Sequence, residues 1–222
     1  MAGSIVNITV HGIGPVVREL DPGEDHVWVE VEQFERMLDA AVGRGDVRIT
    51  FDDGNASDVE IALPRLLERG LTAEFFVCAG LLGEPGRVDA DGVRELTAAG
   101  MRIGSHGWSH RDWRLLSPED VEREMIEAGR VLAGLVGHPV SRVAVPFGSY
   151  DRHVLRRMRD AKITRAYTSD GGRARPGTWL QTRTSIGPDL DQDWLDRVLN
   201  GTPSVYGRAR GSAARAFKRL RG

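Results

Sequence analysis

Two carboxylates stand side by side at Asp52-Asp53, between the apolar run Val47-Arg48-Ile49-Thr50-Phe51 and Gly54. Neighbouring side chains of a strand point to opposite faces, but where a strand stops and glycine lets the chain turn, both can aim into one cleft. Such a pair repels itself and invites a cation. A divalent ion held by one carboxylate would offset the charge and lower the pKa of a bound water, leaving the other carboxylate free to take the proton. Alone, Asp-Asp-Gly describes many polar turns. A second motif sharpens it. Ser105-His106-Gly107-Trp108-Ser109-His110 closes the apolar run Met101-Arg102-Ile103-Gly104 with two histidines four residues apart. One Asp and two His supply three protein ligands and leave positions open for water and substrate, as catalytic rather than structural sites require. Both motifs follow an expected strand, where parallel α/β folds place their chemistry.

A third segment, Val143-Ala144-Val145-Pro146-Phe147-Gly148-Ser149-Tyr150-Asp151, again ends an apolar strand in a Pro/Gly turn. With it the chain resembles the polysaccharide deacetylases of the NodB-homology type, carbohydrate esterase family four, from Asn7 to about Ile186. Thr-Phe-Asp-Asp-Gly stands unaltered at Thr50 to Gly54, His-x-x-x-His at His106 to His110, and the Pro-aromatic-Gly turn at Pro146 to Gly148. The resemblance implies a distorted (β/α)7 barrel. It also implies a metal-dependent hydrolase that removes an N-acetyl group from an amino sugar or sugar conjugate, either a small molecule or an oligosaccharide. Asp52 would be the general base, Asp53, His106 and His110 would hold one divalent metal, and the backbone N–H of Phe147 would help bind the oxyanion. Zinc is the expected ion; cobalt, nickel or manganese suits the same donors, since affinity order and availability decide among them. Trp108, between the ligand histidines, is best placed to stack on a sugar face, and Pro146 and Tyr150 are grouped with it as substrate-binding residues.

Four departures from the family pattern stand out. The arginine usually found two residues before the motif proline is replaced by Ala144. Arg142 shares its strand face, but Arg183, in the strand-like run Leu180 to Ile186, is the preferred partner of the base. Gly107 replaces a hydroxyl residue, so a hydrogen bond behind the metal ligands is expected to be missing. The late Leu-x-x-His that supplies the general acid has no counterpart, because no histidine follows His153. His11, at the end of the first strand, is the candidate replacement. The late Asp-x-x-Asp-Trp motif finds only Asp189 to Trp194, which reads instead as a helix start with acids in its first turn. Two other readings stay open: hydrolysis of another non-peptide C–N bond, such as an amide or ureide, and a catalytically inactive carbohydrate-binding barrel.

The elements that must carry these residues alternate. Strand-like runs lie near Ile5–Val10, Val47–Phe51, Ala73–Val77, Met101–Ser105, Val140–Val145, Ile163–Thr168 and Trp179–Ser185, with amphipathic helices such as Val31–Val42 and Val121–Leu135 between them. Seven strands in a βα repeat imply a parallel sheet curled into a barrel. Ser57-Asp58-Val59-Glu60 reads as a capping box, Ser117-Pro118 as an N-cap with a first-turn proline, and Pro64 as a break in its helix. Glycine-rich stretches 12–23, 80–86 and 171–177 are expected rim loops. At 222 residues, 41% hydrophobic and 28% charged, the composition is that of a soluble globular enzyme domain. No apolar run approaches the roughly 20 residues of a membrane span. The first residues lack a basic n-region and an h-region, which points to the cytoplasm. The lone Cys78 excludes an internal disulfide and reads as packing. Residues 1–206 are expected to form the catalytic domain. A tail at 207–222 carries six bases and no acid, so the remaining 24 bases and 32 acids leave −8. It lacks the interleaved aromatics of a single-strand binder, and no nucleic-acid partner is expected.

Overall fold

The computed structural model describes residues 3–201; the basic block at 207–222 and the expected domain end at 206 lie outside the described residues. The described strands are, in chain order, β1 (Ile5–Val10), β2 (Gly12–Ile13), β3 (Trp28–Val29), β4 (Val47–Phe51), β5 (Ala73–Val77), β6 (Arg102–Ser105), β7 (Arg142–Ala144), β8 (Arg165–Thr168), β9 (Arg173–Ala174), β10 (Leu180–Thr182) and β11 (Thr184–Ser185). The main sheet runs β10-β8-β7-β6-β5-β4-β1-β11, with parallel pairing throughout that path. Its two ends are consecutive pieces of one segment. The expected single strand Trp179–Ser185 breaks at Arg183: Leu180–Thr182 pairs with β8, and Thr184–Ser185 pairs with β1. That crossing nearly closes the barrel. The expected loop at 171–177 contains β9, antiparallel to β1, and the loop at 12–23 begins with β2, which pairs with β3 in a small separate ribbon.

Every residue of β1 and of β5 is buried, as strands covered on one face by helices and on the other by the barrel interior must be. The outward face carries the apolar side chains. Val6, Ile8 and Val10 pack with Ile49, Phe51 and Phe75 against Phe34, Met37, Leu38 and Ala41 of α1 (Val31–Ala41). Phe51 stacks on Phe75 at 4.3 Å and meets Phe34 edge-on at 6.0 Å. Burying a side chain of this size contributes about 1.5–3 kcal/mol. The inward face is more polar. Asn7 Nδ2 donates to the Thr182 carbonyl at 2.8 Å, and the Thr9 and Thr50 hydroxyls meet at 3.1 Å.

The other helices are α2 (Leu63–Glu68), α3 (Ala90–Ala98), α4 (Pro118–Glu122), α5 (Ala128–Val136), α6 (Arg152–Asp160) and α7 (Gln192–Leu195). Ser117 caps α4 as expected, accepting from the Asp120 N–H. Asp191 caps α7, accepting from the Trp194 N–H, so the late acidic stretch is a helix start. The capping box at Ser57 does not form. Its hydroxyl accepts instead from the Ile13 N–H at 3.3 Å, and Asp58–Ala62 winds as a wide π-turn that leads into Pro64 and α2. The expected helix Val121–Leu135 is likewise interrupted: α4 and α5 are joined by a π-turn at Arg123–Glu127.

Candidate metal centre and active site

The end of β4 delivers Asp52 and Asp53, the end of β6 delivers His106 and His110, and the break at the closing strand delivers Arg183. Asp53 adopts φ 74° and His110 φ 55°, left-handed values that cost a non-glycine residue about 1–3 kcal/mol each and cluster at functional sites. The turn at Asp53 sends the two acids to one cleft. His106 Nε2 lies 3.3 Å and His110 Nε2 3.4 Å from Asp53 Oδ1. One donor atom from each of the three residues falls within 4.8 Å of the others.

This donor set fits a divalent cation. Asp53 Oδ1 is buried with no hydrogen-bond donor, so it is available to a metal. His106 Nδ1 lies 2.9 Å from the Ala144 carbonyl; donation to that oxygen fixes the tautomer that leaves Nε2 free to ligate. Burial would raise the Asp53 carboxyl, but His106, His110 and His11 outweigh it and hold it well below the usual carboxylate range. Burial alone would lower His106, yet Asp52 and Asp53 hold it above its ordinary value, whereas burial prevails at His110 and pulls it down.

Asp52 is built differently. Both of its oxygens are taken by Arg183: NH1 donates to Oδ1 and NH2 to Oδ2, each at 2.6 Å. Burial favours the neutral acid, but Arg183 and His106 reverse that and keep Asp52 lowered. Arg183 is 0% exposed, its guanidinium 5.4 Å over Phe76 and 5.6 Å over Tyr167, with NH1 also donating to Thr50 Oγ1 at 3.2 Å. Ala144 belongs to the same inner cluster as Phe76 and Tyr167, so the motif position that lacks its arginine lies beside the guanidinium arriving from the closing strand. Arg142 points elsewhere, pairing with Glu74 at the opposite mouth.

Around the centre a cavity of about 240 Å³ is lined by His11, Asp21, Glu24, Phe147, Ser169 and Ser185 along with both acids and both histidines. His11 Nδ1 is buried without a hydrogen-bond partner, and Phe147, at φ 57°, lays its ring 4.4 Å from that of His110. Asp21 Oδ2 approaches His110 Nδ1 to 4.0 Å. Three expected binding residues are not among the lining. Trp108 packs onto Gly80, where a Cβ would come within 2.2 Å of the indole, and lies under Arg123. Tyr150 is buried and donates to Asp170 at 2.7 Å, and buried Pro146 opens the turn that positions Phe147.

The sequence offered no sign of Glu124. It lies in the π-turn between α4 and α5, 2% exposed, and accepts from the Trp108 N–H at 2.8 Å, the Ser109 N–H at 3.1 Å and the Ser109 hydroxyl at 2.7 Å. It thus clamps the loop between the two histidines. Gly107 has φ 86°, and a Cβ there would meet Glu124 Oε2 at 2.4 Å, so the residue that removes one hydroxyl makes room for this carboxylate. A π-turn at such a point is a recurrent device for aiming a side chain into a site.

The geometry agrees with comparisons to known proteins. Residues 39–166, more than half of the chain, match the family described as Polysaccharide deacetylase. The chain is 28% identical over 142 residues to the chitooligosaccharide deacetylase of Sinorhizobium fredii, covering 62% of this chain and 64% of that one. It is 26% identical over 121 residues to the peptidoglycan-N-acetylglucosamine deacetylase of Bacillus cereus, covering 53% and 42% respectively. The chain therefore matches 64% and 42% of the length of these two curated relatives. The fold is similar to that of the Streptococcus pyogenes deacetylase PplD solved with acetate, with a TM-score of 0.76 at 20% identity over 89% of this chain and 99% of that one. A helix long and apolar enough to cross a membrane is absent among the described residues. With the Asp-Asp-Gly turn, the histidine pair and the barrel in one chain, the protein belongs to the polysaccharide deacetylase family.

Proposed function

We propose that this chain is a metal-dependent hydrolase that removes the N-acetyl group of an amino sugar or sugar conjugate. The observation that carries the reading is the division of the acid pair: Asp53 Oδ1 faces two imidazoles at 3.3 and 3.4 Å, while both oxygens of Asp52 are held by Arg183 and its approach to His106 Nε2 is longer, 3.9 Å. A divalent cation held by Asp53, His106 and His110, with zinc as the best match to the donors, would supply Lewis acidity for an acyl carbonyl and for water. Asp52 is then the base that takes the proton from the attacking water, and Arg183 keeps it ionised and oriented. The N–H of Phe147, at the cavity wall, is the backbone donor for the oxyanion. Collapse releases an amine, which needs a proton; His11, inside the cavity with an unused ring nitrogen, is the donor on this reading. The relatives named for N-acetylglucosamine and chitooligosaccharide deacetylation support the same substrate class.

The experiment measures acetate release from N-acetylated amino sugars and their oligomers alongside metal content. Asp52→Asn is expected to lower the rate by at least about 100-fold with about one metal ion still bound per chain. Loss of the metal in Asp52→Asn would make Asp52 a ligand and refute the assignment. The absence of acetate release by metal-loaded parent protein from every such sugar would refute the hydrolase.

A further inference from the structure

The chemistry described so far uses the ends of the barrel strands. Where the same parallel strands begin, the opposite mouth holds a second cavity of about 370 Å³, for which deacetylation has no use. Five adjacent strands, in the order β4-β5-β6-β7-β8, each send one charged residue to it: Arg48, Glu74, Arg102, Arg142 and Arg165. Each is the first or second residue of its strand, so the charges ring the mouth near one level. Glu74 is the one acid of that lining, and it is already taken. It is 6% exposed, accepting from Arg142 NH2 at 2.6 Å and from the Tyr167 hydroxyl at 2.9 Å. Arg48, Arg102 and Arg165 have no ion pair among the described residues.

Four guanidinium groups against one spent carboxylate make a concentrated positive basin in a chain whose whole sequence carries −2. Like charges gathered around a concave mouth repel one another, and the field they focus draws in a counter-ion. Guanidinium forks match phosphate oxygens bidentately, and a ligand with several phosphate groups relieves more of the repulsion than one.

We propose that the strand-start mouth of the barrel is a binding site for a multivalent phosphate compound, either free polyphosphate or a polymer of phosphate esters. It is independent of the metal centre and stands whether or not the hydrolase reading holds. The test titrates the full chain with sodium tripolyphosphate, inorganic phosphate and a glycerol phosphate oligomer at constant ionic strength, by calorimetry and thermal unfolding. Tripolyphosphate or the oligomer is expected to bind at least tenfold tighter than inorganic phosphate, the tighter of the two identifying the free or the esterified form. Arg102→Glu and Arg165→Glu, with Arg102→Gln as a milder second variant, should weaken binding at least tenfold in the glutamates and severalfold in the glutamine. Arg156→Glu on α6, which changes net charge equally but lies outside the basin, should leave it intact. No binding by the parent protein, equal affinity for inorganic phosphate and the multivalent probes, or equal loss in Arg156→Glu would overturn the proposal.

Discussion

Replacing Arg183 with Met removes the guanidinium while keeping much of the buried volume. Asp52, only 2% exposed, then loses both of its 2.6 Å hydrogen bonds and the guanidinium charge beside it, inside the barrel. Breaking a buried pair in this way costs about 3–5 kcal/mol. At roughly 2–4 °C per kcal/mol for a domain of this length, the midpoint of thermal unfolding should fall by roughly 6–20 °C. The assay is urea and thermal unfolding of the parent, Arg183→Met, Asp52→Asn and the double variant. Because Asp52→Asn removes the charge that Arg183 serves, the two losses should not add; a coupling of about 2 kcal/mol or more is expected. Arg183→Lys should recover little, since one ammonium cannot replace a fork that grips two oxygens at once. A loss below about 1 kcal/mol in Arg183→Met, or simple additivity in the double variant, would show that the pair does not anchor the base.

Three further outcomes follow from particular contacts. Gly107→Ala combines a left-handed backbone with a Cβ driven into Glu124, so it should destabilise by about 2 kcal/mol or more and weaken zinc binding, measured by chelator competition, at least about tenfold. Asp46 is bound by Arg44 and Arg173, which hold its carboxyl at about 2 and tie the start of β4 to the Leu199 carbonyl. Its folded pKa is depressed, so its contribution is complete above pH 3.8 and disappears as pH falls through about 2. Screening limits that contribution to about 1 kcal/mol; acid-unfolding curves of the parent and Asp46→Asn should separate above pH 4 and merge near pH 2. Cys78 is 1% exposed and its thiol is pushed up by burial and then by Asp53, so a thiol reagent at neutral pH should label it only at the rate of unfolding.

The candidate site was legible because its residue types are costly to place together: an acid pair on a glycine turn and two histidines four residues apart. Arg183 could be anticipated because a buried carboxylate needs a counter-charge and Ala144 does not provide one. What escaped the sequence was direction. Trp108 between the ligands reads as a sugar platform, yet the space above Gly80 draws the indole away from the cavity. Glu124 lies in the middle of an amphipathic helix pattern where a glutamate normally faces water; only the π-turn at Arg123–Glu127 rotates it onto the histidine loop. The capping signature at Ser57 failed for a related reason, since the hydroxyl met the distant N–H of Ile13 in preference to its own helix. Strand positions survived because parallel strands buried on both faces leave continuous apolar runs. The split of the last run did not, because strand partners as distant in sequence as Ile8 and Thr184 leave no local mark.

The break at Arg183 also bears on how the molecule comes into being. The guanidinium that pairs with Asp52 arrives on the segment that joins the first strand to the sixth of the barrel's seven, so a chain emerging from its N-terminus holds Asp53, His106 and His110 before the partner of Asp52 is made. Until Leu180–Ser185 docks, Asp52 lacks the guanidinium that takes both of its oxygens. Completion of the ring and pairing of Asp52 depend on the same segment.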